Sequence, residues 1–164
     1  MKQRIPLFLA LVLSMVLFSQ CATLKNHKIA EKNKETVRVW FEEGWNHNRN
    51  DELVERCFDP AWRDGNPLLA DQISGYKGMR HLIKSYKEAA PDAHFTITHL
   101  FADKNRVAVR YEVVATQTGT MFGIPASGRQ FTSTGIVVYD MKDGRIEVSW
   151  QELDLTGILK QLKD

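Results

Sequence analysis

Residues 106–154 form three consecutive segments in which β-branched and aromatic residues alternate with polar ones. Such alternation puts one set of side chains on each face of a strand and is typical of a sheet with one buried face. Residues 119–128 and the dipeptide Asp143-Gly144 supply turns between the segments. The pattern therefore predicts an antiparallel meander.

The last of these segments ends at an acidic residue in apolar surroundings. If the strand stays regular, side chains two residues apart share one face. The set that would share this face is Ile146, Val148, Trp150, Glu152 and Asp154. This alternation predicts a carboxylate beside an indole on the lined side of a curved sheet.

The chain carries an ordered set of motifs across residues 33–162. TGTMFGIPASGRQFTSTGI precedes a Tyr-ended strand, DGRI, Trp150, Asp154 and a short LTGILKQL tail, and upstream lie NKETVRVWFEEGWN, DELVERCFDP, RDGNP and GYKGMRHLIKSYKEAAPDAHFTI. This set resembles the SnoaL-like polyketide cyclases, also called ester cyclases, of the NTF2-like superfamily.

Helical patterns come before the strands. An apolar stripe predicts a first helix from about Glu31, a second is predicted over Asp51 to Phe58, and a third over Tyr76 to Ala89. Helices followed by a run of antiparallel strands favour an α+β fold. The family resemblance implies an NTF2-like cone, with a curved antiparallel β-sheet packed against three helices and an internal pocket.

The chain of 164 residues is long enough for one domain with a core. Residues 1–20 are typical of an export signal, with Lys2 and Arg4 ahead of a short apolar run. Residues 21–30 are polar and are interpreted as a tether. The predicted domain therefore spans residues 31–164.

Cys21 follows LFSQ, a context similar to a lipobox, and is a candidate lipid-carrying residue of a bacterial cell-envelope lipoprotein. Plain secretion is the alternative, whereas the apolar run is short for a membrane span, which needs about 20 residues. Loss of residues 1–20 would leave equal numbers of basic and acidic side chains. A neutral domain argues against a nucleic-acid partner.

Metal and nucleotide cofactors are not expected. His94 and His99 would face opposite sides of a predicted strand, and no Gly-rich phosphate loop is present. Cys57 lies in an apolar helical pattern and is interpreted as a buried hydrophobe.

Asp154 is the position that the resemblance aligns with the acid/base aspartate of the cyclases. One carboxyl can take and return a proton when apolar surroundings raise its pKa, and Trp150 would help to desolvate it. The alternative is that Asp154 caps a last helix, because Leu155 to Ile158 can start one. The two roles do not exclude each other.

The resemblance also draws attention to polar positions around the pocket. Asp64 and Asn66 belong to a stretch where the family usually has a histidine, and here Gly65 takes its place. Gln117 and Ser149 stand at two more positions that often hold histidine. Gln117 can bind a ligand oxygen but cannot exchange a proton, so these changes favour binding over catalysis.

Two functions remain open from the sequence. The first is a cofactor-free cyclase or isomerase acting on a small apolar carbonyl compound through Asp154. The second is an exported binding protein that keeps the pocket without the chemistry. Trp40, Tyr111 and Trp150 are the aromatic residues expected nearest the pocket, and a homodimer is a family expectation.

Overall fold

The computed structural model describes residues 7–67 and 72–163, without the side chains of residues 7–19 and 21. Its helices are α1 (Leu7–Val39), α2 (Asn50–Cys57), α3 (Gly75–Ala89) and α4 (Leu155–Lys163), and a π-helical segment, Trp40–Asn46, continues α1. Its strands are β1 (Phe58–Asp64), β2 (His94–Asp103), β3 (Arg106–Thr116), β4 (Gln130–Lys142) and β5 (Arg145–Leu153).

The strands form one sheet in the order β1-β5-β4-β3-β2. The pairs β2–β3, β3–β4 and β4–β5 are antiparallel, as the predicted meander requires, while β1 joins β5 in parallel. The turn between β4 and β5 has positive φ at Asp143 (51°) and Gly144 (84°), as a two-residue hairpin turn needs. The predicted α+β fold with a curved antiparallel sheet is confirmed.

Helix α1 begins far earlier than Glu31, where the sequence pattern placed its start. The predicted tether, residues 21–30, is helical, and it contains no Gly or Pro that would interrupt a helix. Ala30 is the first residue of α1 with a buried described side chain. The signal and domain boundaries stay predictions, and residues 1–6 lie outside the description.

The C-terminal half of α1 docks against two hairpin turns of the sheet. Asn33 Nδ2 donates to the Lys104 carbonyl at 2.7 Å, and Thr36 Oγ1 donates to the Gly144 carbonyl at 2.9 Å. Val37 on the same side is fully buried in the main core. These contacts fix the π-helical segment that follows over the concave face of the sheet. Among the described residues, no helix combines the length and apolar character that crossing a membrane requires.

The pairing of β4 with β5 contains a bulge that changes which side chains face the core. Met141 pairs with Ile146, but its neighbour Asp140 pairs with Val148, so β5 has one extra residue here. Beyond the bulge, Trp150 lies opposite Val138. The prediction that Ile146 and Trp150 share a face is therefore wrong, because one inserted residue reverses the alternation.

Candidate functional site

A cavity of about 90 Å³ lies between the concave face of the sheet and the helices. A buried water needs roughly 10–15 Å³ measured in this way, so the space holds a group of several heavy atoms. Nearly half of its lining residues are aromatic, and the tryptophans and phenylalanines among them are Trp40, Phe41, Trp45, Phe58, Trp62, Phe95, Phe122 and Phe131.

The π-helical segment supplies three of these rings. Its wider turn places Trp40, Phe41 and Trp45 over the sheet, and such turns occur often at functional sites. The ring of Trp40 lies edge-on to Trp45 at 5.7 Å between centroids. Asn46 closes the segment, since its side-chain amide exchanges two hydrogen bonds with the backbone of Phe95 on β2.

Tyr111 reaches across the sheet because its cross-strand partner is a glycine. It pairs with Gly135 on β4, and a side chain at Gly135 would collide with the phenol. The Tyr111 hydroxyl accepts a hydrogen bond from Gln151 Nε2 on β5 at 2.8 Å. Because the oxygen accepts, its proton can be donated to a ligand oxygen. Burial raises the pKa of Tyr111, so the phenol is neutral at physiological pH.

Ser149 gives the cavity an aliphatic hydroxyl in addition to the tyrosine hydroxyls. The Trp62 indole N–H donates to Ser149 Oγ at 2.9 Å, which connects β1 to β5 inside the pocket. The family resemblance marked Ser149 as standing where a histidine is common. The serine supplies a small hydrogen-bonding group instead of an imidazole. This group can orient a ligand but cannot exchange a proton near neutral pH.

Asp64 is the one carboxylate among the described residues that line the cavity. It stands at the end of β1, half-buried, and its Oδ1 accepts a hydrogen bond from the Asn66 amide at 3.1 Å. Burial, and then the charge of Asp64, raise the pKa of Tyr86, which lines the same cavity. The negative charge of Asp64 therefore influences the Tyr86 phenol in the same cavity wall.

Asp154 lies outside this lining. Its side chain is exposed, and Oδ1 accepts the Gly157 amide at 2.9 Å at the start of α4. This is the capping role that the sequence left as an alternative. The expected neighbour Trp150 is 40% exposed on the opposite face of the sheet. The structure thus does not bring Asp154 and Trp150 together in the pocket.

Trp150 has a different set of neighbours on the outer face. Its indole N–H donates to Asp140 Oδ2 at 3.3 Å, and the Arg63 guanidinium lies 5.9 Å from its ring centroid. The ring also covers Gly65, where an added Cβ would come within 2.5 Å of the indole carbons. A side chain at position 65, including the histidine usual in the family, is incompatible with this packing.

Gln117 is fully buried and organises the loop between β3 and β4. Its Nε2 donates to the carbonyls of Ile124 and Pro125, at 3.0 and 3.1 Å, and its Oε1 accepts from Ser127 Oγ. The predicted ligand contact is thus replaced by contacts within the protein. The loop brings Met121 and Phe122 to the cavity wall; these contributions had no signal in the sequence.

Asn66 also has a backbone role. Its side chain donates to the Gln151 carbonyl at 2.7 Å and accepts the Gln151 amide at 2.8 Å, so it ties the end of β1 to β5. These bonds fix the part of β5 that carries Gln151 into the pocket. The inward position of Gln151 had no signal in the sequence, because only the bulge turns this residue toward the cavity.

Of the aromatic residues expected near the pocket, Trp40 and Tyr111 line it. The side chain of Cys21 lies outside the description, so its lipidation stays a prediction. Cys57 is buried and free, as its apolar pattern predicted. No three potential metal-ligating side chains come together in the part of the chain that the structure describes.

The architecture of this chain is similar to that of several solved protein structures. TsrD from Streptomyces laurentii is 26% identical, with a TM-score of 0.73 and coverage of 81% of this chain and 96% of that one. A candidate polyketide cyclase from Acidithiobacillus ferrooxidans is 29% identical, with a TM-score of 0.68 and coverage of 80% and 94%.

A SnoaL-like polyketide cyclase from Agrobacterium tumefaciens has a TM-score of 0.68 over 79% of this chain and 97% of its own; at 23% identity it supports the fold alone. The comparison with curated proteins found no match. The family model of the SnoaL-like polyketide cyclases matches residues 35–162. This match spans all described strands and most of the helical layer, and the chain therefore belongs to the SnoaL-like polyketide cyclase family.

Proposed function

We propose that this protein binds a small, mostly apolar compound in the aromatic cavity. The supporting observation is the division of polar groups: Asp64, Ser149 and Gln151 line the cavity, whereas Asp154 caps an exposed helix start. An apolar pocket with a few placed polar groups is the usual design of a small-molecule site. Burial of the ligand's apolar surface supplies the affinity, at roughly 25 cal/mol per Å².

A titration with toluene, followed through the indole N–H signals of the four tryptophans, tests this proposal. Toluene is neutral and of the size that the cavity admits. We expect the signals of Trp40, Trp45 and Trp62 to shift together, with Trp150 on the outer face as the internal control. Equal movement of the Trp150 signal, or no saturable movement at all, would contradict the proposal.

Proton-transfer catalysis is the second candidate, through Asp64 in place of Asp154. In this proposal the Asp64 carboxylate removes a proton next to a carbonyl, and the Tyr86 or Tyr111 hydroxyl donates to the developing oxyanion. Aldol-type ring closure or isomerisation of a small apolar carbonyl compound would then proceed without a cofactor. This candidate is favoured by the position of Asp64 on the cavity wall beside Tyr86.

The exchange of α-protons of cyclohexanone in heavy water measures this chemistry directly. Asp64→Asn should remove any enzymatic exchange, while Asp154→Asn should keep it. The opposite ranking of the two variants would return the acid/base role to Asp154. Exchange no faster than in buffer would leave the binding function alone.

Two further sequence predictions remain proposals. The chain is exported and held at the bacterial cell envelope through lipidated Cys21, and two copies pair through the outer face of the sheet. Four apolar side chains on that face are exposed, namely Phe101, Val114, Ile136 and Trp150. Analytical ultracentrifugation of the wild type and of Ile136→Lys tests the pairing, because a charge there would separate the copies.

A further inference from the structure

The charges around the cavity are unbalanced. Asp64 is the one acidic group among the described lining residues, and these include no Lys, Arg or His. The basic residue next in the chain, Arg63, extends over Trp150 on the other face of the sheet. The described part of the chain thus offers Asp64 no counter-ion inside the pocket.

Asp64 also has few hydrogen-bond partners. Within the described ranges its carboxylate accepts one hydrogen bond, from the backbone amide of Asn66, and no ion pair joins it to a basic side chain. A ligand that fills the cavity removes water from the remaining lone pairs. Burial of a carboxylate without compensation is costly, so a ligand that brings a positive charge or strong donors to this position binds more tightly than one that brings neither.

The aromatic walls favour the positive charge over a neutral donor. Trp45 lies between Trp40 and Tyr86, with ring centroids at 5.7 and 5.8 Å. Ring faces carry negative electrostatic potential and attract cations within about 6 Å, most strongly at Trp. A neutral apolar ligand gains the contact area of these rings but gains nothing from Asp64.

Tyr86 strengthens this arrangement without adding a second charge. Burial raises the pKa of its phenol, and the nearby Asp64 raises it further, so the ring stays neutral at physiological pH. The hydroxyl of Tyr111, which accepts from Gln151, keeps its own proton for a ligand oxygen. The site therefore combines a carboxylate, electron-rich rings and hydroxyl donors.

We infer that the cavity recognises a small organic cation, an alkylated ammonium compound carrying an oxygen atom, with its charge between Asp64 and the Trp45 and Tyr86 rings. This inference rests on the proposed function, since it specifies the ligand class of that cavity. It assigns Asp64 the role of counter-ion for the ligand.

Choline and its neutral carbon isostere, with tert-butyl in place of trimethylammonium, form a matched pair of probes. Both have the same shape and one hydroxyl, so isothermal titration at constant ionic strength isolates the charge. We expect choline to bind the full chain at least about tenfold more tightly than the isostere, a factor that corresponds to about 1.4 kcal/mol.

Asp64→Asn should lower choline affinity about tenfold or more, and it should not lower affinity for the isostere, because a neutral ligand no longer covers an uncompensated charge. The asparagine keeps an oxygen for the Asn66 amide, and denaturation by urea checks that the variant folds. Asp154→Asn is the matched control, because it neutralises a carboxylate outside the cavity, and it should bind both probes as the wild type does.

Equal affinity for the two probes, or loss of choline affinity in both variants, overturns the cation inference. Tetramethylammonium, which lacks the hydroxyl, serves as a smaller cation, and failure of both cations to bind also overturns it. Toluene binding distinguishes failure of the cation inference from failure of the proposed binding function. If toluene binds and the cations do not, the cavity binds small molecules without selecting charge. If toluene fails as well, the proposed binding function fails with it.

Discussion

The carboxylate of Asp154 accepts a hydrogen bond from the backbone amide of Gly157 across 2.9 Å, and this contact begins helix α4. The carboxylate thereby satisfies one of the amides that a helix start leaves without an intrahelical partner. The residue that the family resemblance marks for proton transfer thus has a structural use at an exposed site. Substitutions at Asp154 distinguish helix capping from proton transfer.

Asp154→Ala should destabilise the protein by about 1 kcal/mol, whereas Asp154→Asn should cost a few tenths at most, because asparagine caps helices nearly as well. Urea denaturation gives both values. Neither change should alter ligand affinity, since the side chain does not line the cavity. A large loss of affinity or turnover in Asp154→Asn would show that the carboxyl acts on the ligand.

Ala115 and Val114 are neighbours on β3 that face opposite sides of the sheet. Ala115 lines the cavity, while Val114 is 41% exposed on the outer face. Ala115→Leu should fill the cavity and weaken toluene binding about tenfold or more, and Val114→Leu should have no effect. Amide chemical shifts during the titration report both. Similar losses in the two variants would contradict the cavity as the binding site.

Gly65 and Trp150 should be energetically coupled. Gly65→Ala brings a Cβ against the indole, and overpacking of this kind costs about 1–3 kcal/mol. In a Trp150→Val background the same change should cost much less, since the ring that it meets is gone. A double-mutant cycle by chemical denaturation measures the difference. Additive effects would mean that the indole does not occupy the space beside Gly65.

The buried thiol of Cys57 should make the folded protein less stable at high pH. Burial raises the pKa of its thiol from the ordinary 9.0 to about 11. The stability contribution is fully present below about pH 9, and is lost as pH rises toward 11, because only the unfolded chain releases the proton in that range. The total loss is about 3 kcal/mol.

Denaturation of wild type and Cys57→Ala across this pH range tests the effect. The wild type should lose stability more steeply than the variant. The buried Tyr111 and Tyr139, whose pKa values are raised, add the same decline to both proteins at higher pH. Parallel profiles would show that the thiol ionises equally in the folded and unfolded states.

Cys21→Ser tests the anchoring proposal. If Cys21 carries a lipid, the wild type should label with a fatty-acid analogue and partition into detergent, and the variant should do neither. Cys57→Ala is the control, since that thiol is buried and free. Detergent partitioning of the serine variant would mean that something other than a lipid on Cys21 holds the protein to the membrane.

Much of the fold could be predicted from local patterns. Alternation over residues 106–154 marked the three strands β3, β4 and β5, and the turn at Asp143-Gly144 follows from residues that accept positive φ. The apolar stripe that predicted the first helix includes Val37, Trp40 and Phe41, and these side chains are buried along α1 and the π-helical segment that continues it. These features depend on neighbours along the chain, so the sequence expresses them directly.

The composition of the site depended on one extra residue in the pairing of β4 with β5. A hairpin closed at Asp143-Gly144 without a bulge would turn Trp150 inward, whereas the observed register turns Ser149 and Gln151 inward and Trp150 outward. The sequence alone determined the family, the element order and the apolar character of the interior. Only the tertiary structure decided which polar groups meet there, because a bulge is set by cross-strand packing and reverses every side chain beyond it.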